Sequence, residues 1–387
     1  MEKRDLIYLD NAATSFPKPY AVSEAVKKYM LYCGGNPGRG AYKTAIEAAE
    51  KVYLCREHLK SFFGADENAE QFFVMNTTQG INACIKGYLR RGDHVLISNM
   101  EHNAVYRPIF KLAARGQITY DVFCVADERG MLSEDEILSD ISRKTRANTR
   151  MLICTAASNI VSIHPPIAKI GELCRKRNIF FLVDGAQAAG HFDISVEKMN
   201  IDALCVPGHK GLLGPQGCGA VILREGVRLE TLFEGGNGVD SLEGAMPEYA
   251  PERYESGTLP VPAIIGLNEG IASVAQIGVQ NVERHERALF EATRGMLERI
   301  DGVRIYCPDY SGSVLLFSVD GVKSERVAEY LSKCGICVRG GFHCAALAHN
   351  ALNTDDSGAV RVSFGIFNCE GDAEALCEAV SKIKRLP

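Results

Sequence analysis

Short apolar runs punctuate the first two thirds of the chain, at 72–75, 94–98, 120–125, 151–155, 179–183 and 203–206. Several are apolar without interruption, the pattern of strands covered on both faces, as a parallel sheet requires. Between them apolar residues recur every three or four positions. Ile81, Cys84, Ile85, Tyr88 and Leu89 do so within 78–90, and Ile167, Ile170, Leu173 and Cys174 within 166–177. That spacing marks one face of a helix. The alternation predicts an α/β fold with a mainly parallel sheet. Such sheets bind ligands beyond the carboxyl ends of their strands.

Near 257–262 glycine and proline interrupt the pattern and longer helical periods follow, at 263–278 and 281–300. Strands at 314–319 and 359–364, with helices at 324–334 and 370–383, predict a smaller α+β domain. The division expected is therefore an N-terminal arm over 1–20 packing with the small domain, a large domain over 21–262, and a small C-terminal domain over 263–387.

With 387 residues, 46% hydrophobic and 24% charged, the chain has ample material for a buried core and none of the bias of a disordered protein. A net charge of −5 gives no basic excess for a nucleic-acid binder. The apolar stretch after the first five residues, Leu6-Ile7-Tyr8-Leu9, is too short for a signal-peptide core, and no run reaches a membrane-spanning length. A reducing, cytoplasmic location is expected, with the 14 cysteines as thiols. Cys84, Cys124, Cys154, Cys174 and Cys205 lie in apolar segments and read as small core residues. Cys334-Gly-Ile-Cys337 is a lone pair without a second pair at zinc spacing, so no metal site is expected. Cys344 differs, because Gly340-Gly341-Phe342-His343-Cys344 reads as a glycine-flanked turn that sets a thiol beside an imidazole.

No glycine fingerprint for a dinucleotide or a P-loop follows any strand. Instead, polar residues stand where the strands end. The run 179–183 leads into Asp184-Gly-Ala-Gln187, and 203–206 leads into Pro207-Gly208-His209-Lys210-Gly211. A lysine in a tight turn between small residues suits Schiff-base chemistry, since desolvation frees its amine. Taken alone, a solvated loop lysine is the plainer reading. Together with an aspartate at the neighbouring strand end it favours pyridoxal 5'-phosphate (PLP), whose ring nitrogen wants a carboxylate and whose aldehyde wants an amine. Thr77 and Thr78 open the helix after 72–75, where free N–H groups and hydroxyls bind anions or simply cap. His102 follows a third strand and offers an imidazole to stack on the ring and move a proton.

These residues, with Asn76–Asn82, Glu101-His102, Ala157-Ser158-Asn159, Arg253-Tyr-Glu-Ser-Gly257-Thr258 and Tyr8-Leu-Asp-Asn-Ala-Ala-Thr14, resemble the class V aminotransferase group of fold-type I PLP enzymes. Within it the chain resembles the cysteine desulfurases of the SUF-type branch, close to selenocysteine lyases, over essentially its whole length.

The resemblance implies that Lys210 carries the cofactor, Asp184 pairs with its ring nitrogen, Gln187 with its ring hydroxyl, and His102 stacks on it. It places Asn159 near the ring and gives the phosphate to Thr77, Thr78 and His209, joined by Gly257 and Thr258 of a homodimer partner. It makes Cys344 the sulfur-accepting catalytic residue and assigns the amino-acid substrate to Arg361, Arg339, Asn11 and His343. A thiolate is the nucleophile, so either His343 or the substrate's own groups are expected to help deprotonate Cys344. The seventeen positions from Cys344 to Arg361 match the short loop of the SUF-type branch. L-cysteine is the implied substrate and a sulfur-acceptor protein the implied partner. L-selenocysteine, or another C–S lyase reaction of the same family, is the alternative. Pro207 stands where relatives place a serine, Asn103 and Phe342 where SUF-type enzymes place histidines, and Ile160-Val161-Ser162-Ile163 where Gly-Thr is usual.

Overall fold

A computed structural model describes residues 6–38, 40–354 and 356–383. Residues 1–5 of the expected arm and 384–387 of the expected small domain lie outside the described residues.

Seven strands form the central sheet. From one edge they run Glu70–Val74, Gly219–Leu223, Ala203–Pro207, Phe180–Asp184, Thr149–Thr155, His94–Ser98 and Thr119–Phe123. Gly219–Leu223 is antiparallel to both neighbours, and every other strand points the same way. The alternation of side chains across a strand splits the core into two layers. Phe73, Leu96, Leu152, Phe181 and Val206 face one side, under helices such as Lys43–Phe62 and Ile167–Arg177. Phe72, Ile97, Ile153, Leu182 and Val221 face the other, under helices Thr77–Tyr88 and Asn103–Ala114. Both faces are thus covered, which is why the strands are apolar throughout.

A second sheet, Val303–Tyr306, Val314–Val319, Ala359–Ser363 and Arg339–Gly341 in spatial order, is antiparallel and has its own core around Phe317, Leu331, Val362 and Leu376. Ile7–Tyr8 pairs with Ile336–Cys337, and Asp10 bridges Ser363, so the chain's start is tied to this second sheet. Among the described residues no helix is long and apolar enough to cross a membrane, and no cluster of His, Cys, Asp and Glu could hold a metal ion.

The expected strands recur within about two residues. One cysteine departs from expectation. Cys84, Cys154, Cys174 and Cys205 are buried, but Cys124 is exposed. The strand it was assigned to ends at Phe123, and the Cys124 N–H donates to the Asp140 carboxylate at 2.9 Å instead of entering the sheet.

Candidate active site

Because six of the seven central strands run the same way, their carboxyl ends open on one edge. Val74 leads into Asn76-Thr77-Thr78, Ser98 into Glu101-His102, and Thr155 into Asn159. The strand Phe180–Asp184 ends on its aspartate, and Pro207 leads into His209-Lys210. Thr155 and Asp184 are register partners, as are Asp184 and Cys205. A cavity of about 100 Å³ lies at this edge. Its lining includes Thr77, Thr78, His102, Asn159, Asp184, Gln187, His209 and Lys210. The structure therefore brings these eight together from five separate segments.

The polar atoms of this cavity show what it lacks. Buried polar groups are almost always hydrogen-bonded. Yet Thr77 Oγ1, His209 Nδ1 and Asn159 Oδ1 are buried without a partner, and all three residues line this one cavity. Thr77 also begins a helix, capped by the Asn76 side chain accepting from the Gln79 N–H at 3.0 Å. Helix-start amides, a hydroxyl and an imidazole around one spot form a phosphate cradle. Burial pushes His209 down to about 4, aided by Lys210 and Lys18, so its ring is neutral and can donate from one nitrogen.

Asp184 is 2% exposed and accepts from the Ala186 N–H at 2.9 Å. Burial raises its pKa, against the pull of that hydrogen bond and of Lys210. A buried carboxylate with one oxygen accounted for is suited to a ring N–H⁺. Lys210 is pushed down to about 8, first by burial and then by the Arg361 charge, so far more of its amine is unprotonated near neutrality than in an ordinary lysine. His102 caps helix Asn103–Ala114, with its Nδ1 accepting from the Ala104 N–H at 3.0 Å. Burial, then Lys210, lowers it to about 4, so it presents a neutral ring with its proton on Nε2. The PLP reading fits this donor set: an amine, a carboxylate, a flat imidazole and unpartnered phosphate-type donors.

Cys344 sits beside this cavity. It lines an adjoining groove of about 400 Å³ that shares Thr78, His102 and Ala104 with the cavity. The thiol is exposed. Its backbone is left-handed, at φ 56°, directly after His343 at φ 50°. Non-glycine residues there cost about 1–2 kcal/mol each. Asn159 Nδ2 donates to the His343 carbonyl at 2.8 Å, and the Asn103 N–H donates to the Cys344 carbonyl at 2.8 Å, so cavity-side residues grip the turn.

Arg339 and Arg361 lie directly opposite each other in register on neighbouring strands. Two cations so placed repel, and an anion between them relieves the repulsion. Asp10 supplies part of it, 2.6 Å from Arg361 Nη2, while Arg361 Nη1 donates to the Asn159 carbonyl at 3.0 Å. Arg361 Nε has no partner although the residue is 1% exposed. Asp10 was not anticipated, and nothing in its local sequence marks it as the counter-ion of a residue 351 positions away.

Two expected residues, Asn11 and His343, are placed differently. Both Nδ2 protons of Asn11 go to the Ser363 carbonyl and Asn368 Oδ1, at 3.0 and 3.1 Å, so its amide ties the chain's start to the second sheet and leaves no donor for a substrate. His343 is 3% exposed, and both its ring nitrogens meet protein atoms, Arg339 O at 2.9 Å and His349 Nε2 at 3.2 Å. It therefore has no lone pair for the Cys344 thiol. Gly257 and Thr258, expected to act at a partner's phosphate site, do not line this chain's own cavity. Gly257 lines a separate cleft with Arg56 and Glu255. Lys18 is a further residue the sequence did not single out. Its Nζ donates to the His209 carbonyl at 2.8 Å and braces the turn that carries Lys210.

A family model described as Aminotransferase class-V matches residues 7–376. A "Probable cysteine desulfurase" of Methanothermobacter thermautotrophicus is 33% identical, over 98% of this chain and 95% of its own. A "Cysteine desulfurase" of Escherichia coli strain K12 is 30% identical, over 98% and 94%. Among solved structures, the apo cysteine desulfurase of Thermococcus onnurineus NA1 superposes with a TM-score of 0.89 at 29% identity, covering 99% of this chain and 96% of that one. A cysteine desulfurase from Escherichia coli, in an S-sulfonic acid form, does so at 0.85 and 26% identity, with the same coverage.

Proposed function

The chain belongs to the aminotransferase class-V family, and on that premise we propose that it is a PLP-dependent cysteine desulfurase, which moves the sulfur of L-cysteine onto Cys344 and releases L-alanine. One observation carries the reading: an exposed thiol on a strained turn stands beside a cavity that joins a buried carboxylate to a lysine of lowered pKa.

When bound, PLP supplies an electron sink for a carbanion at the substrate Cα. Thr77, Thr78 and His209 would hold its phosphate, Asp184 would keep its ring nitrogen protonated, and His102 would pack on its ring. Lys210 would anchor the cofactor, and its free amine would take the substrate's Cα proton. Arg361 and Arg339 bind the substrate carboxylate as a charge-assisted clamp. The Cys344 thiolate then attacks the substrate sulfur. The new S–S bond would form as the Cβ–S bond breaks, its electron pair passing to Cβ. A proton gained at Cβ, in net balance the one lost by the Cys344 thiol, and the return of a proton to Cα would complete alanine. The thiol needed is the nucleophilic form, and His343 does not serve as its base.

The same reading makes the enzyme a homodimer in which Gly257 and Thr258 reach the partner's phosphate site. Exposed apolar residues on two helices support such an interface: Tyr20, Met30, Leu31 and Tyr32 on Tyr20–Tyr32, and Ile46, Tyr53 and Leu54 on Lys43–Phe62. It also divides the chain into the arm, large domain and small domain described above. A sulfur-acceptor protein would take the persulfide, and the SUF-type branch is the proposed subgroup.

Two results test the binding groups. The rate at which cofactor-free protein captures PLP should rise with pH and reach half its maximum near pH 8, because only the unprotonated Lys210 amine attacks the aldehyde. Stopped-flow absorbance checks this, and a midpoint near the unperturbed 10.5 counts against the site. Arg361→Gln should raise KM for L-cysteine about 10- to 100-fold, since charged hydrogen bonds contribute about 1.5–3 kcal/mol. Steady-state alanine release measures it, and an unchanged KM would assign the carboxylate elsewhere.

A further inference from the structure

A chain of buried side chains with no part in the chemistry above lies behind Cys344. His343 and His349 stack, with ring centroids 5.4 Å apart and planes 15° from parallel. His343 Nε2 lies 2.9 Å from the Arg339 carbonyl oxygen, which can only accept, so that nitrogen carries the proton. Burial, then the Arg361 charge, lowers His343 to about 3 and keeps the ring neutral. Its Nδ1 is then an acceptor, and His349 Nε2, at 3.2 Å, is the donor. His349 Nδ1 meets Thr354 Oγ1 at 2.7 Å. The whole relay is buried: His349 is 0% and Thr354 1% exposed.

The relay sits where the backbone is strained. His343 and Cys344 are successive left-handed residues. Their carbonyls are gripped from the cavity side by Asn159 and Asn103. The His343 ring is gripped from behind by Arg339 and by His349. His349 belongs to helix Ala346–Ala351 just downstream, and its N–H donates to the Ala345 carbonyl at 2.9 Å. Strained conformations persist only where their surroundings over-determine them. Without the His349 donor, His343 Nδ1 becomes a buried acceptor with nothing to accept. The turn can then relax, and the residue carried with it is Cys344.

We infer that His349 is a positioning residue, whose hydrogen bond to His343 holds the left-handed turn and so sets where the Cys344 thiol stands. The inference rests on Cys344 being the sulfur acceptor.

The test compares the holoenzyme with two variants, His349→Leu, which fills the space without a donor, and His349→Gln, which sets an amide N–H near the position of Nε2. Cofactor absorbance, alanine release from L-cysteine and persulfide on Cys344 are measured for each. His349→Leu should lower kcat about 10- to 100-fold, the scale of a displacement of about 1 Å at a reacting group. KM and cofactor absorbance should hold, and His349→Gln should recover most of the rate. Equal losses in both variants, or wild-type kcat in the leucine variant, overturns the inference. If the leucine variant takes up no cofactor, His349→Asn replaces it under the same criteria, since its amide falls at the Nδ1 position and leaves His343 unserved. Failure of the unsubstituted holoenzyme to form any Cys344 persulfide would instead overturn the desulfurase reading beneath it.

Discussion

Cys344→Ala is expected to abolish persulfide formation and lower alanine release from L-cysteine by at least about 10³-fold, while cofactor absorbance stays that of the unsubstituted enzyme. The effect is large because the substitution removes the atom that forms the new bond. No second thiol can substitute. Among the described residues, Cys344 is the one cysteine lining the cavity or the adjoining groove. Cys205, next to Asp184 in register, is buried, and burial raises its pKa well above the usual thiol range. The fold should be untouched, since the thiol is exposed and the turn is held by backbone carbonyls that alanine keeps. Trapping of protein-bound sulfur followed by mass spectrometry measures the persulfide. Alanine release at the full rate from the variant would remove Cys344 from the chemistry.

Lys210→Ala should eliminate the borohydride-sensitive attachment of the cofactor and lower turnover by about 10²–10⁴-fold, the range for loss of a general base, or more where anchoring is lost as well. Stability should not fall. Lys210 is a desolvated cation near the like charges of Arg361 and Arg339, and its lowered pKa reports that unfavourable surrounding. Removing a cation whose charged form the fold disfavours relieves the protein. Absorbance spectra before and after reduction, with a thermal unfolding midpoint, separate the two effects. An unchanged spectrum in the variant would refute the PLP reading as a whole.

The cavity was legible in the chain because a parallel sheet converts sequence order into geometry. An apolar run that stops at Asp184, or that runs on to Lys210, must deliver its polar residue to the carboxyl edge, and all such edges coincide. The strand Gly219–Leu223 went unread although it is an apolar run like the others. Alternation of strand and helix predicts only parallel additions. The short connection from Pro207 to Gly219 allows nothing but an antiparallel return, since a parallel crossover needs a dozen or more residues. Arg339–Gly341 also went unread, being three residues with two glycines. Its register opposite Arg361 is what pairs the two guanidiniums. His343 was legible as a neighbour of Cys344, but the partners of its ring were not. The sequence shows an imidazole beside a thiol and nothing of the carbonyl and the second imidazole that occupy its nitrogens.

The chain by itself determined the alternating α/β architecture, the family, the residues at the strand ends and the thiol on which the proposed reaction turns. Periodicity and strand-end position are local properties, and each is written in consecutive residues. Tertiary structure alone decided that Asp10 neutralises Arg361, that Asn11 is spent on anchoring, that Cys124 faces outward, and that His349 stands behind His343. Each of these depends on which side-chain atom meets which partner across distant segments or at the end of an element. Hydrogen-bond partners at about 3 Å are set by packing in three dimensions, which no spacing along the chain encodes.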